Sequence, residues 1–288
     1  MGQLGTLLTH EPGRFFDSID WSQKAAVKGD VKSMYSLGLK FQMVKEYVSA
    51  LIWFKWAAEH EHVEAQVEMA KSLYYGRGIE VDKERAITWF WKAADSGDAE
   101  SQFFLASLYL EGKDVEQDVQ KGIELMEKAA EQDDLDAEYN LGIVYTSSSY
   151  GVRDYEKAFD WYLKAAKQGF DRAQYLVGVC YDNGFGVEKD VDQGIEWYKK
   201  AAKKGHIDSQ VQIGTIYIRE NKGMDRALRW LELAAEQGHP IAQYQAGLIL
   251  VEGIDNVPKN PQKGLSYLKN AAEQGHEDAI TFLEDREN

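Results

Sequence analysis

AQYLVGVCYDNGFGVEKDVDQGIEWYKKAAKKG, residues 173–205, decides how the rest of the chain is read. It contains two helical phrases joined by a turn. In the second phrase Trp197 and Ala201 stand at i and i+4, on one helical face, so a large ring lies beside a small contact point. Gly205 follows as a left-handed helix end. In the first phrase Gly178 lets a neighbouring helix approach closely, and Tyr181 fills the space beside it. Gly184-Phe185-Gly186 turns the chain, and Asp190 is placed to cap the next helix. Taken alone, the stretch also allows chemical readings, with Gly-x-Gly as a phosphate loop and Cys180 as a nucleophile.

Recurrence decides between these readings, so it comes before any motif. Alanine pairs begin at Ala25, Ala57, Ala93, Ala129, Ala165, Ala201, Ala234 and Ala271, with gaps of 32 to 37 residues. Four residues before the pairs stand Trp21, Trp53, Trp89, Leu125, Trp161, Trp197, Trp230 and Tyr267. A small residue recurs in the other phrase, from Gly38 to Gly247, followed three positions later by Phe41, Leu73, Tyr109, Tyr145, Tyr181, Tyr217 or Leu250. The unit is an antiparallel helix pair of about 36 residues. One pair cannot bury both of its faces, whereas stacked pairs can.

The expected fold is therefore all-α, a solenoid of seven helix pairs at 33–64, 65–100, 101–136, 137–172, 173–208, 209–241 and 242–275. A capping helix at about Phe15–Lys28 precedes them, within an N-terminal segment 1–32. A capping half-repeat, 276–288, follows with a helix at about Asp278–Glu284.

The phrase A-x-x-x-L-G-x-x-Y, then G-x-G-V-x-x-D, then A-x-x-W-x-x-x-A-A-x-x-G resembles the Sel-1-like repeat, a relative of the tetratricopeptide repeat. The resemblance covers about 90% of the chain and departs from the pattern locally. The first unit has MVKEYVS for a loop, the fourth has TSSSYGVRD, and the third has Leu125 where Trp is expected. It implies a right-handed superhelix whose first helices line a concave surface. It also implies a non-enzymatic binding scaffold: an adaptor, or in bacteria an immunity-type inhibitor of a toxin or effector enzyme. Some cysteine-rich relatives bind or hydrolyse β-lactams, but they carry a cysteine pair in each repeat. This chain has one cysteine in total, so that property does not carry over.

A formal charge of −15 argues against nucleic acid and anionic membrane surfaces, which need clustered Lys and Arg. It suits a basic protein partner or plain solubility. A single cysteine excludes an intrachain disulfide. No run approaches ~20 apolar residues, and the N-terminus lacks a secretory pattern, so a cytoplasmic location is expected. The oligomeric state stays open, with a monomer favoured.

Other site-like features read as structure. His60-Glu61-His62 falls at a helix end and lacks metal-site spacing. His206, His239 and His276 each follow a terminal glycine and form a structural column. Cys180 shares a column with Leu108, Val144 and Ile216 and reads as a small buried group. No catalytic, cofactor or metal set is expected.

Two features exceed the repeat. Glu111–Glu138 holds 11 acidic and 3 basic residues, including Asp114, Glu116, Asp118, Asp133, Asp134 and Asp136. It reads as a solvated face or as a docking patch for a basic partner. An aromatic column on the first helices, Tyr35, Phe103, Tyr139, Tyr175 and Tyr244, is extended by Tyr74, Leu110 and Ile218. These positions are candidates for inward-facing partner contacts; the alternative is burial between neighbouring units. Trp56 and Trp91 lie outside the Trp column, either exposed on the outer side or packed across units.

Overall fold

The computed structural model describes Ser22 and residues 24–287, apart from the side chain of Glu287. Among these residues every regular element is a helix. The elements pair as α1 (Val31–Met43) with α2 (Tyr47–Glu59), α3 (Val63–Tyr75) with α4 (Lys83–Asp95), and α5 (Ala99–Glu111) with α6 (Val119–Ala130). Next come α7 (Leu135–Thr146) with α8 (Tyr155–Lys167), and α9 (Asp171–Asn183) with α10 (Val191–Ala202). The last pairs are α11 (Ile207–Arg219) with α12 (Met224–Glu236), and α13 (Pro240–Glu252) with α14 (Pro261–Glu273). The closing helix α15, Glu277–Glu287, is longer than the stub read from sequence. Trp21 and most of the expected N-terminal helix lie outside the described residues; residues 24–27 are helical. The chain divides within α7 into two compact units, Met1–Ala137 and Glu138–Asn288.

First helices begin two residues earlier than the sequence phrases suggest. The residue directly after the terminal glycine is already the N-cap. Asp98 accepts from the Ser101 amide at 2.7 Å, and His206 Nδ1 from the Ser209 amide at 3.3 Å. Second helices start as expected: Asp154 accepts from the Lys157 amide at 3.1 Å and Asp190 from the Gln193 amide at 3.0 Å.

The terminal glycines are left-handed, as at Gly205 with φ 90°, and Glu61 and Asp133 hold the same conformation at φ 63° and 60°. At Gly205 no atom would meet a Cβ, so the backbone angle alone calls for glycine. Gly186 differs. A Cβ there would lie 1.9 Å from the Tyr155 carbonyl oxygen, so this turn needs glycine for close approach as well. The Gly-x-Gly is thus a packing element. In the first unit, Lys45 at φ 64° makes the turn without glycine.

The first alanine of every described pair from Ala57 to Ala271 is fully buried at 0% exposure, which sets how closely the helices pack. What covers the small residue of the first helix is the residue after the Trp column. Phe54 lies over Gly38, Tyr162 over Gly142 and Tyr198 over Gly178. The tryptophans are not the core rings that the i, i+4 spacing suggests. They are half-buried, and a lysine three residues on covers the exposed face: Lys92 over Trp89 at 4.0 Å, Lys164 over Trp161 at 3.8 Å and Lys200 over Trp197 at 3.4 Å. One residue adds about 100° on a helix, which turns Phe54 or Tyr198 fully inward and leaves the Trp at the edge.

A column of buried glutamines, not apparent from the repeat phrases, ties successive pairs. Gln102 Nε2 donates to the Ala94 carbonyl at 3.0 Å, and Gln174 and Gln243 repeat this to Ala166 and Ala235, each at 3.1 Å. Glutamines after the second helices donate back to them, Gln132 to Gln102 Oε1 at 2.9 Å and Gln274 to Gln243 Oε1 at 2.8 Å. Glu138 occupies this column in the fourth repeat and accepts from Gln168 Nε2 at 3.0 Å.

Candidate partner-binding surface

From sequence, three positions on each first helix are expected to face a partner, successive ones four and then three residues apart. The first carries Tyr35, Phe103, Tyr139, Tyr175 and Tyr244, all half-buried. All but Phe103, whose next first helix follows Asp134, pack against the ring just before the next first helix: Tyr35 on His62 at 4.6 Å, Tyr175 on His206 at 5.0 Å and Tyr244 on His276 at 4.5 Å. Tyr139 meets Phe170 edge-on at 5.3 Å. The aromatic column therefore lies at the seams between repeats with one edge open. Of the histidines after the terminal glycines, His206 both caps α11 and stacks on Tyr175, His239 caps α13 through the Ala242 amide, and His276 stacks on Tyr244.

The third position is mostly closed. Leu110 is 3% exposed, which removes it from the set of accessible partner-binding residues. The reason is Gly122 at the start of α6: a Cβ there would lie 2.7 Å from Leu110 Cγ, so α6 runs directly over it. Ile218 is half-buried against two core clusters. Tyr74 is half-buried, and its hydroxyl donates to Asp114 Oδ2 at 2.6 Å. Asp182, also in this row, is buried and takes Arg219 Nη2 at 2.5 Å.

The middle position is the more open one: aliphatic on four of the seven paired first helices, and Lys71, Ser107 or Thr215 on the other three. Leu39 and Ile143 are each 37% exposed, with Val179 and Leu248 half-buried beside the aromatic edges. Their place six residues after the first phrase residue marks them in the sequence. No residue type singles them out, because aliphatic residues at helical spacing read equally well as core.

The acidic segment resolves into unlike parts. Asp114 has a left-handed backbone, φ 60°, and joins Tyr74 to Lys83 Nζ, 2.8 Å away. Hydrogen bonds from Lys83 and Tyr74 hold its carboxyl below the usual range, while burial and that bond push the Tyr74 hydroxyl up to about 12. Asp118 caps α6 through the Lys121 amide at 3.0 Å, and Asp134 accepts from the Ala137 amide at 2.8 Å. Asp133 makes the left-handed turn. Glu116 and Asp136 are exposed, as are Glu111 and Glu131. The patch read as six equivalent acids thus contains three with structural hydrogen bonds and one fixed by backbone geometry.

Cys180 is buried, and burial pushes its thiol up to about 12, which suppresses the thiolate needed for nucleophilic chemistry. His60 and His62 sit at the end of α2 and the start of α3. Among the described residues no three His, Cys, Asp or Glu side chains converge as metal ligands, and no helix is long and apolar enough to cross a membrane. Trp91 packs across repeats, with Lys121 of α6 over its ring at 4.6 Å. Trp56 is exposed at 44%.

With this geometry, comparison with known proteins is informative. The Sel1 repeat family matches at residues 31–62, 63–98, 99–134, 135–170, 171–206, 214–239 and 240–276; all but the sixth begin two residues before the sequence phrases, as the first helices do. A protective antigen present in uropathogenic Escherichia coli strains, described as displaying an SLR fold, superposes with a TM-score of 0.84 at 30% identity. The match covers 90% of this chain and 57% of that one, so this chain spans little more than half of its neighbour's length. A Sel1 repeat protein from Oxalobacter formigenes matches with a TM-score of 0.63 at 28% identity, over 83% of this chain and 96% of that one. An immunity protein from Pseudomonas aeruginosa lies farther off, with a TM-score of 0.40 at 20% identity over 76% of this chain and 82% of that one. No curated protein matches the chain in sequence. Seven matched repeats, built as stacked helix pairs, place this chain in the Sel1 repeat family as an α-solenoid.

Proposed function

We propose that this chain is a non-enzymatic scaffold that holds a partner protein against the exposed face of its first helices. Repeats of this family generally mediate contacts between proteins. The observation that carries the reading is the pair of aliphatic residues at this position on neighbouring first helices α7 and α9, Ile143 and Val179, beside Tyr139 and Tyr175, whose rings are already held by Phe170 and His206. Rings immobilised before binding lose little side-chain freedom on contact, which favours association. The exposed acids Glu111, Glu116 and Glu131 add a local charge that suits a basic partner.

Photo-cross-linking tests the placement. A benzophenone side chain introduced at Ile143 or Val179 is expected to capture protein adducts in cells, and one at Asp160 or Glu196 on the second helices is not. Equal capture from both faces overturns the reading. An adaptor gives several adducts. A toxin inhibitor gives one dominant basic adduct that disappears when Glu111, Glu116 and Glu131 are changed to lysine.

A further inference from the structure

The outer face of α2 differs from its six counterparts. Val48, Ile52 and Trp56, at i, i+4 and i+8, are 62%, 51% and 44% exposed. Every other repeat carries a polar or charged residue at the Val48 and Ile52 positions, and five of six do at the Trp56 position, Leu233 being the exception. In three of the other repeats a lysine at this last position covers the column tryptophan: Lys92, Lys164 and Lys200. Here Trp56 takes its place and meets Trp53 edge-on at 5.4 Å. A single apolar stripe on a surface otherwise polar at those positions marks a contact site.

We propose that this stripe pairs with the same stripe of a second copy, as an antiparallel two-fold helix pair centred on Ile52. From sequence the oligomeric state is open, with a monomer favoured. The pattern is self-complementary under that symmetry. Ile52 meets Ile52, and the large Trp56 ring lies against the smaller Val48 of the other copy. Seven residues beyond the centre is Glu59 and seven before it is Lys45, both exposed, so each end of the pair brings opposite charges together. Tyr47, 38% exposed, widens the contact. The area removed from water is on the order of 1,000 Å² in total, the low end for specific association, so a weak dimer with Kd on the order of 10 µM is expected.

Sedimentation equilibrium of the full chain, from about 1 to about 200 µM, is the test. The weight-average mass should rise from 32.7 kDa toward twice that value. Trp56→Lys, which installs the residue four other repeats tolerate, should remain monomeric throughout, as should Ile52→Glu. Lys45→Glu should weaken the dimer at least tenfold, and adding Glu59→Lys should restore it. A wild-type chain that stays monomeric over the whole range, or a dimer that survives Trp56→Lys and Ile52→Glu, overturns the proposal.

Discussion

Replacing Gln102 tests whether the buried glutamine column couples successive repeats. Gln102 is 5% exposed and makes two hydrogen bonds, donating to the Ala94 carbonyl and accepting from Gln132. Leucine keeps most of the volume and removes both bonds. Neither group left behind is fully orphaned. The Ala94 carbonyl still accepts from the Gly97 amide at 3.0 Å, and Gln132 Nε2 still reaches the Lys128 carbonyl at 3.3 Å. The expected cost is therefore that of two net hydrogen bonds, about 2 kcal/mol, without the larger penalty for unpaired buried groups. Gln102→Glu should cost more, about 3 kcal/mol or more at neutral pH, because a carboxylate offers the Ala94 carbonyl no N–H and loses solvation. Acidification should narrow the gap between the two variants as the glutamate takes up a proton. Stacked repeats open locally, so native-state hydrogen exchange of α4 and α5 amides is the appropriate assay. Leucine and glutamate variants within about 0.5 kcal/mol of the parent would refute the coupling role.

Three further outcomes follow from the geometry. Glu61→Gly relieves a left-handed non-glycine residue and should stabilise the first unit by about 1 kcal/mol in denaturant titration. Gly205→Ala meets only the φ penalty and should cost about 1 kcal/mol, whereas Gly186→Ala also drives a methyl into the Tyr155 carbonyl and should cost more than 2 kcal/mol; equal costs would contradict the close approach. Asp114→Asn should leave the helices intact while lowering the Tyr74 titration midpoint from about 12 toward the ordinary value, followed by ultraviolet absorbance. The Asp114 carboxyl is held low in the fold, so its contribution exists above the unfolded carboxylate range and is lost as pH falls through the folded value. Acid sensitivity should accordingly diminish in Asp114→Asn. An unchanged Tyr74 titration would remove the hydrogen bond from consideration.

Much of the fold was readable because its signals are local and periodic. The alanine pairs, terminal glycines and cap residues each report a backbone or contact requirement that recurs at one spacing. The candidate surface was less legible. Tyr74 and Leu110 are equivalent in the repeat, yet one reaches Asp114 and the other lies beneath α6. Glycine at position 122 makes the difference, and its effect depends on which helix crosses there. Likewise Asp114, Asp118, Asp133 and Asp134 look alike as charges, but a left-handed turn, an ion pair and two caps separate them.

The sequence by itself determined the repeat length, the helix-pair unit, the turn glycines and the Sel1 character, since these rest on short-range sterics repeated seven times. Only the tertiary structure decided which ring enters the core and which stays at the edge. A single residue rotates a side chain by about 100°, and whether Trp197 or Tyr198 faces inward depends on the helix that packs against it. The structure alone also drew the glutamines into a buried column, left Ile143 open beside Tyr139, and exposed Val48, Ile52 and Trp56 where the other repeats present polar groups to water.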